Sequence, residues 1–200
     1  MVRPVKEKKE RALGVKLFLK AERSYSPKSA MVRRPNKPGQ HGGKRSRPPT
    51  EFGRQLQEKQ KIQISFGLNN RQTRMIFKKP KNKIVEILYQ RLDYVTFLLG
   101  FAKSPRIARQ MVSHGHITVN GRKMTISSYH VKVHDIVAVR PESKNSKLFE
   151  DTAERLKQYN PPEWLRLSAD ELKGECVAKS NEGNAQFPFD IALVGEFYSR

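Results

Sequence analysis

Residues 91–140 read RLDYVTFLLGFAKSPRIARQMVSHGHITVNGRKMTISSYHVKVHDIVAVR, and one periodicity gives way to another within them. Up to Ser113 apolar residues recur at helical spacing; from His116 they alternate. Ser104-Pro105 opens a helix, a hydroxyl that caps followed by a ring whose φ is already helical. That helix runs to about Ser113 and leaves Ala108, Met111 and Val112 to pack, with Gly115 as its stop. Asn120-Gly121 is the strongest short hairpin signal, because both central residues of a type I′ turn need positive φ. His116–Val119 is then one strand and Arg122–Ile126 its return. Val131–Val133 and Ile136–Val139 supply more strand, joined at His134-Asp135. Short helices, a hairpin and further strands make a small module over residues 91–149.

Working outward, Lys83–Phe101 reads as one helix, with Ile84, Ile87, Leu88, Leu92, Val95 and Leu99 near a helical period. A basic, proline-broken connection, Lys78–Lys83, precedes it. Gln55–Phe66 reads as a helix capped near Thr50 and ended by Gly67, and residues 68–77 as another. Phe66, Phe77, Tyr89 and Phe101 are core candidates. From Ser24 to Pro49, five prolines and three glycines break any long helix. With its charge, that stretch reads as an arm laid along phosphates. Residues 1–12 read as a charged, mobile end, and 13–22 as one or two helical turns. On the other side, 147–160 reads as a surface helix closed by Pro161-Pro162. Trp164, Leu165, Phe187 and Phe189 read as anchors, and Ile191–Val194 as a short strand. The fold class expected is α+β: a mainly helical lobe with an extended basic N-terminal arm, plus the small module. The segments are 1–90, 91–149, and a tail 150–200 packing on the helical lobe.

The chain has 200 residues with 40 Lys/Arg against 19 Asp/Glu, a formal net charge of +21. The excess is +18 over residues 1–90 and +7 over 91–149, while 150–200 carries −4. Such a surface repels itself and attracts polyanions, nucleic acid first among them. Cys176 is the single cysteine, so no internal disulfide can form and a reducing compartment is favoured. Leu13–Leu19 is too short for a secretory signal, and no apolar run reaches membrane-spanning length. None of the five histidines has zinc-finger spacing to a cysteine, so neither metal nor cofactor is expected. No Ser-His-Asp order, phosphate-loop signature or carboxylate pair stands out, and the chain reads as no enzyme. Asp93 reads as a local partner of an arginine or a helix-start charge.

Phosphate binding needs cations on one face and backbone that approaches closely. Arg106, Arg109 and Gln110 lie on or near one side of the Ser104–Ser113 helix, and guanidinium forks match phosphate oxygens. Lys103 precedes them; His114 and His116 flank the helix–strand junction; Asn120 and Arg122 sit at the hairpin. In the Pro38–Gly43 loop, glycines let backbone N–H groups near an anion beside Gln40 and His41. Arg33, Arg34, Lys37, Lys44, Arg45 and Arg47 flank that loop. Arg54, Lys59, Lys61, Arg71 and Arg74 add positive charge along the two helices that follow.

Taken together, Arg91-Leu92-Asp93, Leu99-Gly100-Phe101-Ala102, Ala108-Arg109-Gln110, His114-Gly115-His116-Ile117 and Val119-Asn120-Gly121 resemble the alpha-L RNA-binding motif. Pro38-Gly39-Gln40-His41-Gly42, Phe52-Gly53, Glu58-Lys59-Gln60-Lys61 and the ending Glu196-Phe197-Tyr198-Ser199-Arg200 extend the resemblance. Over nearly the whole chain it is to the bacterial-type family of small ribosomal subunit protein four. The resemblance implies a structural protein of the cytoplasmic ribosome, or of an organelle's, that binds small-subunit ribosomal RNA at a multi-helix junction. It also implies early assembly, an effect on decoding accuracy, and contact with small-subunit proteins five and three and with messenger RNA near its entry path. Neither membrane nor a second copy of the chain is implied. Some relatives carry an N-terminal zinc-binding cysteine cluster, which this chain lacks. Two other readings stand beside it. An RNA-modifying enzyme with the same module needs a catalytic domain, which the basic, broken first 90 residues do not supply. An architectural nucleic-acid binder would hold duplex DNA against competing ribosomal RNA.

Overall fold

The structure, a computed structural model, describes residues 6–17, 19, 26–44, 48–146, 148–180 and 189–199. Among them are ten helices and one five-stranded sheet, an α+β chain. In chain order the first elements are α1 (Lys6–Leu13), α2 (Ala30–Arg33), α3 (Glu51–Ser65), α4 (Asn70–Phe77), α5 (Lys81–Tyr89), α6 (Leu92–Leu98) and α7 (Pro105–Ser113). Then come β1 (Ile117–Val119), β2 (Arg122–Lys123), β3 (Ile136–Val139), α8 (Pro141–Lys144), α9 (Thr152–Lys157), β4 (Leu165–Ser168), β5 (Lys173–Cys176) and α10 (Ile191–Ser199). The chain divides into two compact units, residues 1–79 with 187–200, and residues 80–186.

The first unit is helical. Thr50 caps α3 by accepting the Gly53 N–H, and Gly67 ends it at φ +59°. Asn69 and Gln72 cap α4 reciprocally, each side chain accepting the other's backbone N–H at 2.8 and 3.1 Å. Ile62, Phe66, Leu68, Phe189 and Val194 are buried, with the Phe66 and Phe189 rings edge-on at 6.0 Å. Ile191–Val194, expected as strand, is the start of α10 instead. Asp190 makes the difference: its Oδ1 accepts the N–H groups of Ala192 and Leu193, the mark of a helix N-cap. The N-terminal end differs too. The helix covers Lys6–Leu13 rather than beginning at Leu13, and Gly14 leaves it at φ +68°. The buried Glu10 carboxylate then accepts the N–H groups of Leu17 and Leu19, both at 3.1 Å.

The second unit is built on the sheet, ordered β2-β1-β3-β5-β4 and antiparallel throughout. Its register puts Ile117, Val119, Val137, Val139 and Cys176 on one buried face. A Cβ on Gly174 would fall 2.3 Å from the buried Leu99 side chain, so glycine there lets the end of α6 settle on β5. The single helix expected over Lys83–Phe101 is two. Arg91 is extended (φ −65°, ψ 134°), and the turn and bridge at 127–131 hold the break. There Leu92 N–H donates to Tyr129, Asp93 N–H to Ser127, and Val131 N–H to Gln90. Val131–Val133 forms no strand, and the hairpin's return is only Arg122–Lys123. The expected surface helix 147–160 is only Thr152–Lys157, with its own Leu156 buried and Phe149 buried just before it. The expected single tail divides. Residues up to Ser180 belong with the sheet, where Trp164 and Leu165 are buried, while Phe189 and α10 belong with the helical unit. Phe187 lies outside the described residues.

Candidate nucleic-acid interface

Helix α7 sorts its side chains sharply. Ser104 Oγ accepts the Ile107 N–H and Pro105 takes the first turn, fixing where the helix begins. Ala108, Met111 and Val112 are buried; Arg106, Gln110, Ser113 and His114 are exposed, and Arg109 is half-buried. Lys103 is exposed just before the helix. At the far end Gly115 turns at φ +76°, and a Cβ there would lie 2.2 Å from the Lys123 side chain. Lys123 therefore crosses the helix end, bringing a cation of β2 to the foot of α7. Sequence reasoning passed over Lys123; its signal was adjacency to Arg122 opposite a glycine. Arg122 is exposed beside it.

Two expected contact residues are engaged within the unit. The His116 Nδ1 lies 3.0 Å from Ser143 Oγ, and its ring meets Phe149 edge-on, so His116 braces the sheet. Asn120 turns the hairpin at φ +49°, and both ends of its amide are bonded, to Asp135 and to the Ile136 N–H. Asp135 also accepts the Lys132 N–H at 2.8 Å. Burial, then the Asp135 carboxylate, push the Tyr129 phenol upward. His114, by contrast, is exposed.

In the first unit the glycine-rich loop is a series of turns. Gly42 N–H donates to Gly39 and Lys44 N–H to His41, at 3.1 Å each. A Cβ on Gly42 would fall on the Lys37 carbonyl, at 1.7 Å. The Arg11 guanidinium spans from α1 to bond the Asn36 carbonyl twice, at 3.2 and 2.7 Å. On that frame Arg33, Arg34, Lys37, Gln40, His41 and Lys44 are exposed. Arg45 and Arg47 lie outside the described residues. Arg54, Arg71 and Arg74 are exposed on α3 and α4. Lys61 is half-buried and paired with Glu58; Lys59 lies over the Phe197 and Tyr198 rings, 4.5 and 5.4 Å from their centroids. Both lysines are thus tied to neighbours in their own unit. Among the described residues, no group of three or more His, Cys, Asp or Glu could hold a metal ion. No helix among them is long and apolar enough to cross a membrane.

With this geometry in place, two family models match. The S4 domain covers residues 90–137, and the ribosomal protein S4/S9 N-terminal domain covers residues 3–96. Small ribosomal subunit protein uS4 of Thermus thermophilus is 44% identical over 194 residues, 94% of this chain and 93% of that one. The protein of the same description from Desulfitobacterium hafniense is 41% identical over the same shares. That of Roseiflexus castenholzii is 41% identical over 200 residues, 95% of this chain and 94% of its own. This chain belongs to the uS4 family of small ribosomal subunit proteins.

Proposed function

We propose that the chain is a structural, non-enzymatic constituent of the small ribosomal subunit that binds its ribosomal RNA directly. One observation carries the reading: 44% identity across 94% of the chain to a uS4 protein, in a chain whose net charge is +21. The mechanism is electrostatic. Lys and Arg release counterions condensed on phosphates, and the shape of the folded RNA selects the site. The contact set proposed is the exposed face of α7 with Lys103, Arg106, Arg109 and His114, the hairpin cations Arg122 and Lys123, and the basic loop of the first unit. Further proposals follow from family resemblance. The RNA site is a multi-helix junction in the 5′ domain, joined early in assembly. Small-subunit proteins five and three are neighbours, and messenger RNA passes near its entry path. Decoding accuracy depends on the chain, and the ribosome is that of the cytoplasm or an organelle.

The test is filter binding of the purified chain to small-subunit ribosomal RNA over a salt series, against unrelated transcripts and duplex DNA. Preferential binding with a steep negative slope supports the reading. Equal binding to all three, or a chain that never sediments with small subunits, would sink it.

A further inference from the structure

One acidic side chain is built into the basic module where charge alone would exclude it. Asp135 is buried, and its two oxygens are taken by the Asn120 amide and the Lys132 N–H, each at 2.8 Å. Asn120 in turn accepts the Ile136 N–H at 2.8 Å on its side chain and donates its own N–H to the Ile136 carbonyl at 2.9 Å. These bonds tie the hairpin tip to the turn at 132–135. The hairpin needs such a tie. At the sheet edge β2 pairs with β1 at two positions, Thr118↔Lys123 and Val119↔Arg122, with one further bond from the Met124 N–H to the Ile117 carbonyl. So short an edge ladder holds the tip weakly by itself. Gly121 stands at φ +78° with nothing within 4 Å of its Cβ position, so a side chain there would meet open space. Residues left loose there would have to be ordered when RNA binds, at a cost in affinity.

We propose that Asp135 is a positioning residue of the RNA-binding face: through Asn120 it fixes the Asn120-Gly121 turn, and with it Arg122 and Lys123, before RNA arrives. The proposal rests on the RNA-binding reading above and changes the part assigned to Asn120. With both ends of its amide engaged, Asn120 holds the turn rather than touching RNA. The acid acts against the local field, since a negative charge beside phosphate-facing cations weakens their pull. That opposition gives the test its sign.

The experiment uses the full chain, a transcript of the 5′ domain of small-subunit ribosomal RNA, and the variants Asp135→Asn and Asn120→Gly. Asp135→Asn removes a negative charge, so electrostatics alone makes it bind more tightly. Loss of positioning makes it bind more weakly, by about tenfold, with the salt slope unchanged because no cation is removed. Asn120→Gly keeps the positive φ but removes the amide, and weakens binding likewise. In the RNA-free protein, amide hydrogen exchange of Gly121–Lys123 quickens in both variants while α7 stays protected, which shows a folded unit. Arg122→Ala is the contrast, with a shallower slope and unchanged exchange at the turn. Asp135→Asn binding as tightly as the parent or tighter overturns the proposal, as does unchanged exchange at Gly121–Lys123. Should the parent show no preference for this RNA, the functional reading fails by itself, and the exchange measurement still decides the role of Asp135.

Discussion

Asp93 and Arg91 meet almost out of reach of solvent: Nη2 to Oδ2 is 2.7 Å, with side chains 6% and 8% exposed respectively. Beside them the backbone of residues 91–93 is bonded to residues 127–130. Asp93→Asn leaves the guanidinium buried without its counter-charge, a loss of roughly 3–5 kcal/mol. Urea unfolding should show it as a lowered midpoint with an unchanged slope; an unshifted midpoint would mean the pair contributes nothing. Cys176 gives a second test. Burial first, then Asp135 and Glu175, push its thiol up to about 11. The native protein should therefore resist a thiol-specific alkylating reagent at pH 8 and react only once unfolded, because the thiolate is the nucleophile. The pH effect has a definite sign. The folded state holds the proton to higher pH than the unfolded chain does, so this stabilisation is complete below the ordinary thiol value of 9.0. It is lost as pH rises toward about 11. Alkylation as fast in the native state as in urea would contradict the burial.

Helix α7 was legible because every determinant is local: the Ser104 cap, Pro105, the apolar period and the Gly115 stop. The break between α5 and α6 was not. No glycine or proline marks Gln90-Arg91, and what bends the chain there is hydrogen bonding to residues 127–131, some forty positions away in sequence. Strands β4 and β5 escaped for a related reason. Gly174 weakens a strand read in isolation, yet it is the residue that admits Leu99. α10 was misread because the apolar run Ile191–Val194 suits a strand until Asp190 is recognised as its cap. The candidate site divides along the same line. Exposure of Arg106 and Gln110 followed from period, whereas the internal bonding of His116 and Asn120 depends on Ser143 and Asp135, which only the fold brings near. For α7 the expected outcome is specific. Arg106→Ala with Arg109→Ala weakens ribosomal RNA binding and reduces the salt slope by roughly two, while far-ultraviolet circular dichroism is unchanged. An unaltered slope in filter binding would remove this helix from the interface.

Across the molecule, charge is divided unequally between the two units. Residues 1–79 with 187–200 carry 23 Lys/Arg against 7 Asp/Glu, whereas residues 80–186 carry 17 against 12. The second unit has the smaller excess, lowered further by the acids of residues 150–180, and its phosphate affinity depends on where a few cations stand. The first unit has a large surplus, and its described loop is already folded by Arg11, Gly39 and Gly42. The two should therefore respond differently to charge removal. Neutralising Arg33, Arg34, Lys44, Arg45 and Arg47 to Gln takes five cations from the first unit without touching the frame that Arg11 and Gly42 hold. The salt slope should fall by roughly four to five, about one for each phosphate no longer neutralised. Incorporation into small subunits during reconstitution should slow, most strongly at high salt. The substitutions at Arg33, Arg34 and Lys44 should leave thermal stability nearly unchanged, since these side chains are exposed and exposed charges contribute little to folding. A chain so altered that entered subunits at the parental rate, with its slope intact, would place the RNA interface elsewhere than on this loop.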